Sequence, residues 1–73
     1  MQTYQERLRS LRIDADKSQA EIAAILNTSQ SYYAKYENGK HPLPIDHLRT
    51  LCVYYHVSAD YILGLPKGLS WPR

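Results

Sequence analysis

Phenylalanine is absent from this 73-residue sequence, and cysteine, methionine and tryptophan occur once each. Because a single cysteine, Cys52, cannot form an internal disulfide, the sequence indicates a reducing compartment. No apolar run approaches the ~20 residues that span a bilayer, and the polar N-terminus lacks the apolar core of a signal peptide. The sequence also lacks internal repeats and low-complexity segments. These absences favour a soluble, cytoplasmic protein with no membrane partner.

Tyrosine is the main aromatic residue, with seven copies. A buried tyrosine needs a partner for its hydroxyl, so we expect several of the seven at the edge of the core or on a binding surface. The net charge of +2 is compatible with a polyanionic partner but is typical of many small domains. The length predicts one small domain, residues 1–65, and the composition after it predicts an irregular tail, residues 66–73.

The spacing of apolar residues predicts an all-α domain of five helices with no strand. Thr3 with Glu6, and Ser18 with Glu21, each form a capping-box pattern that satisfies free backbone N–H groups at a helix start. Asn27 tolerates the left-handed conformation, so a sharp turn can follow the second helix. The inward faces of the first two helices are predicted to carry Tyr4, Leu8, Leu11, Arg12, Ala15, Ile22, Ala23 and Leu26.

Three further helices follow in the prediction. Ser29 is the expected N-cap of the third helix, which should end near Glu37. Pro44 suits the first position of the fourth helix, and Ser58 caps a short fifth helix that stops at Gly64. The apolar stripe of the fourth helix is predicted to consist of Ile45, Leu48, Leu51, Cys52 and Tyr55.

The third helix is predicted to have a polar outward face. If the large Tyr33 and Tyr36 point inward, Ser31 and Lys35 point almost directly away from the core, since successive residues are separated by 100°. Such side chains can hydrogen-bond base edges and phosphates in the major groove of DNA. From this face alone we would favour a helix that is merely solvated. The turn spacing, the paired caps and the motifs described next favour the DNA-reading interpretation.

Four short motifs occur in an order and spacing that is highly specific, although each one alone is weak. They are SQAEIA at 18–23, SQS at 29–31, ENGK at 37–40 and VSADYILG at 57–64. Through them the chain resembles the phage-repressor-like (Cro-type, lambda-repressor-like) helix-turn-helix family over roughly residues 4–65. The resemblance implies a compact five-helix domain that binds double-stranded DNA with its third helix. The chain departs from the family pattern at Lys17, Asn27, Tyr33 and Tyr36.

The resemblance also implies roles for individual positions. Gln30 corresponds to a base-reading glutamine, for which adenine is the natural partner. Gln19 corresponds to a residue that contacts a phosphate and supports the reading helix. The other base-facing positions are Ser31, Tyr32 and Lys35, of which Lys35 would read guanine or neutralise a phosphate. The remaining phosphate-contacting or supporting positions are Ser18, Ser29, Asn38 and Lys40.

Arg12 and Glu37 are expected to form a structural ion pair. Glu37 lies in the last turn of the third helix, where the helix dipole disfavours an acidic side chain. A cationic partner is therefore expected, and the resemblance places Arg12 opposite it. The alternative is a solvated pair of little energetic value, ~0–1 kcal/mol. We favour the paired arrangement.

A homodimer is expected, because a single copy of this size buries too little DNA surface to bind both tightly and selectively. Two copies would occupy a pseudo-palindrome whose half-sites lie about one helical turn apart. The expected dimer contacts, in the fifth helix and the tail, are Val57, Tyr61, Leu65 and Trp71. For Tyr54, Tyr55 and Tyr61, a place at the edge of the core and a dimer contact fit the sequence equally well. The length leaves no room for a separate effector domain, so regulation should come from concentration, a partner protein, proteolysis or a second chain.

Other classes of function have weaker support. Cys52 and His56 are spaced i, i+4 with His47 nearby, but a zinc site needs three or four ligands, so no metal is expected. No nucleophile, base and orienting group form a catalytic set, so we expect no enzyme activity, cofactor or small-molecule ligand. The second hypothesis is a protein-interaction module, antitoxin-like or replication-associated, which Tyr32 on the outward face supports. The favoured function is a transcriptional regulator, specifically a repressor.

Overall fold

The computed structural model describes residues 2–66, and this part of the chain contains five α-helices and no strand. The helices are α1 (Tyr4–Asp14), α2 (Gln19–Ile25), α3 (Gln30–Glu37), α4 (Ile45–Tyr55) and α5 (Ala59–Leu63). The predicted all-α, five-helix fold is therefore confirmed. None of these helices has both the length and the apolar character that a bilayer span requires. Of the predicted tail, residues 66–73, all but Pro66 lie outside the described residues.

Side-chain caps start four of the five helices. At Thr3 and Ser18 the hydroxyl accepts a hydrogen bond from the backbone N–H three residues on, and the glutamate at that position accepts one in return. Ser29 and Ser58 cap α3 and α5 through the hydroxyl alone. These four predicted caps are confirmed. They satisfy backbone donors that have no partner inside the helix, and so fix where each helix begins.

The start of α4 differs from the prediction. Pro44 is the N-cap and not the first helical residue: its φ of −61° would fit a helix, but its ψ of 147° is extended. Ile45, predicted on the apolar stripe, is instead 82% exposed. It lies at the margin of the stripe in the first turn, and because helical side chains tilt toward the N-terminus, it projects past the end of the core. Leu51 is the buried residue of this helix.

The hydrophobic core draws residues from all five helices. Its buried members are Leu8, Ile22, Ala23, Leu26, Tyr33, Tyr36, Leu51 and Ile62. Cys52 packs against them half-buried, and burial raises the pKa of its thiol, which favours the neutral form. Ala15 was predicted on the inward face of α1 but is exposed, because the helix has already ended and Ala15 is its C-cap.

Three non-glycine residues of the described part of the chain adopt the left-handed conformation: Asp16, with a φ of 61° between α1 and α2, Asn27 and His56. Asn27 has a φ of 57°, as predicted, and joins α2 to α3. His56 has the same φ at the C-cap of α4 and is exposed. It lies one residue beyond the end of α4 at Tyr55, so its i, i+4 spacing from Cys52 is not contained within the helix. Within residues 2–66 no group of three or more histidine, cysteine or acidic side chains is placed to hold a metal ion.

Candidate nucleic-acid interface

Helix α3 buries one face and exposes the opposite one. Tyr33 is fully buried and Tyr36 is nearly so. The four positions predicted to face DNA bases lie elsewhere on the helix, with Gln30, Ser31 and Tyr32 exposed and Lys35 half-buried. An α-helix of this kind fits the major groove of B-DNA when its outer face is free. Gln30, Ser31 and Tyr32 are thus accessible to a duplex, whereas Lys35, predicted to point almost directly away from the core, is only partly so because its ammonium group lies over the Tyr32 ring.

The serines at the two helix starts have structural partners. The Ser18 hydroxyl accepts from the Glu21 N–H at 3.1 Å, and the Ser29 hydroxyl accepts from the Tyr32 N–H at 3.1 Å. Ser29 Oγ also lies 3.3 Å from the Ser31 hydroxyl. Both serines therefore support the starts of α2 and α3. The positive ends of the two helix dipoles lie at these same positions, where anions are favoured.

A part-buried charge cluster joins α1, α2 and α3. The Nε and Nη2 atoms of Arg12 lie 2.7 and 3.1 Å from the two carboxylate oxygens of Glu37, and its Nη1 donates to the Lys17 carbonyl at 3.0 Å. Gln19 Nε2 donates to the same carboxylate at 3.2 Å. The Glu37 side chain is only 4% exposed. The cluster ties the end of α3 to α1 and to the first residue of α2.

The same contacts set the charge states. Burial acts to raise the pKa of the Glu37 carboxyl, but hydrogen bonds, that from Arg12 foremost, outweigh it and hold the pKa below its ordinary value. The hydrogen bond to Glu37 raises the pKa of Arg12 in turn. Burial raises the pKa of the nearby Tyr33 hydroxyl, and raises that of Tyr55 to about 12. The ion pair therefore stays charged and the two tyrosines stay neutral near neutral pH.

A surface cavity of about 240 Å³ opens beside this cluster. Its lining consists of Arg9, Arg12, Gln19, Ala34, Glu37 and Asn38. Glu37 neutralises Arg12, whereas Arg9 is exposed at the rim. The cavity thus brings together Gln19 and Asn38, two of the predicted phosphate-side residues, with a cation that sequence reasoning missed. The spacing of Arg9 and Arg12 at i, i+3 on one face of α1 was the available signal.

The loop after α3 presents the next predicted phosphate contact. Asn38 is the C-cap of α3, and its side-chain oxygen accepts a hydrogen bond from the Lys40 backbone N–H at 3.0 Å. Gly39 lies between them with a φ of 82°, a conformation that favours glycine. Lys40 itself is exposed. Asn38 therefore organises the short loop that carries the Lys40 ammonium group.

An aromatic cluster that the sequence analysis missed lies at Tyr32. Its ring stacks on the His41 imidazole, with the ring centres 5.3 Å apart and the planes 16° from parallel. The Tyr36 ring meets it edge-on at 5.6 Å, and Lys35 Nζ lies 5.4 Å from its centre. His41 comes from the loop beyond α3, so no helical periodicity links it to Tyr32. The cluster nevertheless sets the position of Tyr32 and Lys35, two of the side chains predicted to face bases.

The predicted dimer residues have different environments. Val57 is half-buried and packs against the core. Tyr61 and Leu65 remain 48% and 39% exposed, so both are accessible to a second chain. Tyr54 and Tyr55 pack against the core, in line with the core-edge alternative. Trp71 lies outside the described residues.

Two helices joined by a left-handed turn, the second with a free polar face, define a helix-turn-helix domain. The sequence agrees with this geometry, since a model of the helix-turn-helix family matches residues 8–62. The chain belongs to this family, in its Cro/C1-type form. The resemblance drawn from the four motifs is thereby confirmed. The family consists of DNA-binding regulators and not of enzymes, in agreement with the prediction made from the sequence.

Two similar proteins share the domain. Over 62 residues the chain is 39% identical to the uncharacterized HTH-type transcriptional regulator YobD of Bacillus subtilis (strain 168), a match that covers 85% of this chain and 55% of that protein. A crystal structure of a transcriptional regulator from Listeria innocua is similar with a TM-score of 0.84 and 27% identity. That similarity covers 97% of this chain and 65% of the Listeria chain. The chain therefore spans just over half and about two thirds of these two proteins.

Proposed function

We propose that this chain is a sequence-specific transcriptional regulator that binds double-stranded DNA and reads the major groove with α3, residues 30–37. The observation that carries the proposal is the exposure of Gln30, Ser31 and Tyr32, with half-buried Lys35 beside them, on the part of α3 that the buried Tyr33 and Tyr36 leave free. Base-edge contacts in the major groove require such side chains on a helix that is free on one side. The names of both similar proteins support this role, since each describes a transcriptional regulator.

Phosphate contacts would fix the position of α3 on the duplex. Two exposed cations are associated with the Asn38 cap: Lys40, whose backbone N–H donates to the Asn38 side chain, and Arg9, which lines the same cavity as Asn38. The Gln19 side-chain amide donates a hydrogen bond to the Glu37 carboxylate, and Gln19 also lines the same cavity. Contacts to phosphates set register and orientation, while base contacts carry the sequence information. The two sets should therefore respond differently to mutation.

Repression is the simplest mode of action for this surface. A repressor acts by occupying its site, which requires only the DNA-binding face, whereas an activator also needs a contact to the transcription machinery. A cytoplasmic location follows from the same role, because the protein must reach DNA, and the free thiol of Cys52 fits a reducing compartment.

The exposed Tyr61 and Leu65 support a homodimer through α5. Two copies would double the contacts that a single small domain can make.

A binding experiment tests the proposal directly. The protein is first titrated onto a random duplex at low salt in a gel shift, and bound sequences are then selected from a random pool. We expect binding, followed by recovery of a pseudo-palindrome with half-sites about one helical turn apart. Failure to shift any duplex would contradict the proposal, and recovery of single half-sites would contradict the dimer. The protein-interaction alternative is not favoured, because Tyr32 is the one large apolar group on an otherwise polar outward face.

A further inference from the structure

The Tyr32 side chain is held in place although it lies on the exposed side of α3. An exposed tyrosine on a helix ordinarily exchanges between rotamers, and ordering it on binding reduces the affinity. Here the residue is 42% exposed, and yet its ring has three neighbours: the stacked His41 ring, the Tyr36 ring and the Lys35 ammonium group. The remaining exposed part of the ring is the part that a duplex can reach.

The neighbours of Tyr32 are themselves anchored. Tyr36 is 3% exposed and belongs to the core. The His41 backbone N–H donates to the Lys35 carbonyl at 3.1 Å, which folds the loop back onto the end of α3. The stacked pair therefore consists of one residue on the helix and one on a loop that is fastened to the same helix. The position of the Tyr32 ring is thus determined by the fold before any DNA is bound.

An aromatic ring in the major groove has one apolar partner on the base edges, the C5 methyl group of thymine. We propose that Tyr32 contacts a thymine methyl and that His41 is the positioning residue that holds the Tyr32 ring for this contact. The inference rests on the proposed function and extends it to one base of the half-site. The Lys35 ammonium group lies over the same ring, 5.4 Å from its centre, and adds a cation–π contact that holds the ring. His41 is assigned no contact with a base.

Replacement of thymine by uracil tests the inference, because uracil lacks only the methyl group. A duplex bearing the selected site is prepared with each thymine of a half-site changed to uracil in turn, and its affinity is measured. For the wild-type protein we expect a loss of about fourfold at one position, the effect of removing one buried methyl group. Tyr32→Ala should abolish the sensitivity at that position alone. His41→Ala should reduce it to less than about twofold, since the ring is no longer held.

Two further variants separate positioning from other roles. His41→Phe keeps a flat ring for stacking but has no ring N–H, so it should restore the full sensitivity to uracil. His47→Ala is the matched control, since His47 contacts the Tyr36 ring at 5.8 Å and is not in contact with Tyr32; it should leave the sensitivity unchanged. Thermal melts of all four variants check that each is folded at the assay temperature.

Several results would overturn the inference. If His41→Phe behaved like His41→Ala, and both lowered the salt dependence of binding without changing the uracil effect, His41 would be a phosphate contact. If the wild-type protein bound the selected site but no uracil substitution mattered, Tyr32 would not read a methyl group, while the proposed function would stand. If the wild-type protein bound no duplex at all, both would be wrong.

Discussion

Arg7 of α1 donates a hydrogen bond from its Nη1 to the backbone carbonyl of Tyr61 in α5, and its guanidinium carbon lies 5.6 Å from the centre of the Tyr61 ring. A cation is favourable at this end of a helix, where carbonyl groups have no partner inside the helix. Gly64, the C-cap of α5, faces the same guanidinium group: a Cβ built there would lie 3.3 Å from three of its atoms. Arg7 thus fixes the helix that carries the proposed dimer surface.

Replacement of Gly64 by alanine should therefore destabilise the domain by more than the strain of its left-handed backbone alone. Gly64 and Gly39 have φ values of 70° and 82°, so alanine at either position should cost about 1–2 kcal/mol in backbone strain. Gly64→Ala should cost more, because its methyl group also displaces Arg7, whereas the nearest atom to a Cβ at Gly39 is 3.9 Å away. Urea unfolding of both variants measures the difference.

An Arg7→Ala background provides the control for that comparison. Once the guanidinium group is gone, Gly64→Ala and Gly39→Ala should lower the free energy of unfolding by similar amounts. Equal losses in the wild-type background would show instead that Arg7 moves aside freely and does not fix α5.

Loss of the Glu37 carboxylate should destabilise the domain. Glu37→Ala leaves Arg12, whose side chain is 13% exposed, without its ionic partner and leaves the Gln19 amide without its acceptor. We expect a loss of more than about 1 kcal/mol in the free energy of unfolding, because a buried charge without a partner is costly. Thermal and urea melts provide the measurement.

The pair of Lys17 and Glu21 is the matched control for this experiment. Its atoms are 3.7 Å apart, and the two side chains are 38% and 54% exposed. Lys17→Ala should therefore change the free energy of unfolding by less than about 0.5 kcal/mol. A Glu37→Ala protein as stable as the Lys17→Ala protein would show that the buried pair adds no stability.

Acid should destabilise the domain through three carboxyl groups. Hydrogen bonds from Thr3 and from Ser18 lower the pKa of Glu6 and of Glu21, and the pKa of Glu37 is lowered although burial opposes this. A carboxyl group with a lower pKa in the folded state binds protons more readily when unfolded. Its contribution is therefore complete above its ordinary pKa of 4.5 and is lost as the pH falls through the folded-state value.

Urea melts between about pH 7 and pH 3 measure this loss. The free energy of unfolding should be nearly constant down to about pH 5 and should then fall. Glu37→Gln cannot be protonated in this range, so the fall should be shallower for that variant. A wild-type stability that rises below pH 4.5 would contradict the assigned direction of all three shifts.

The four helix starts with a serine or threonine cap could be predicted because capping is local. The contact between Thr3 and Glu6 spans one helical turn and needs no other part of the chain. Ile45 shows the limit of such patterns: its spacing fits the apolar stripe, but whether the core extends to the first turn depends on the other helices. The sequence pattern therefore predicts Ile45 on the inward face of α4, whereas the structure shows it exposed.

In the candidate site too, the features that depend on local geometry could be predicted and those that depend on the fold could not. The direction of Ser31 and Lys35 follows from helix geometry once Tyr33 and Tyr36 are buried. The stack of His41 on Tyr32 could not be found in this way, since it joins a helix to a loop and requires the fold of that loop. Arg9 was missed for a related reason: exposed arginines on helices are mostly solvated, and the fold alone brings this one beside Gln19 and Asn38.

Base-reading and phosphate-binding residues should be separable by mutation. Gln30→Ala removes a bidentate partner for a base, so it should weaken binding to the selected site by about 1–3 kcal/mol and leave binding to random DNA nearly unchanged. Lys40→Ala removes a charge that contacts any sequence. It should weaken both kinds of binding and reduce the slope of log affinity against log salt by about one per subunit. Arg9→Ala should behave like Lys40→Ala.

Arg49→Ala provides the control for charge. Arg49 is exposed on α4 and lines a separate surface groove with Asp46, Thr50 and Val53. Its loss changes the net charge as much as the loss of Lys40 or Arg9, so an unchanged salt slope would show that those two residues act by contact and not through the overall charge. If Gln30→Ala and Lys40→Ala instead weakened specific and random DNA alike, the division between base reading and phosphate binding would be wrong, because only a shared loss of positioning would affect both duplexes equally.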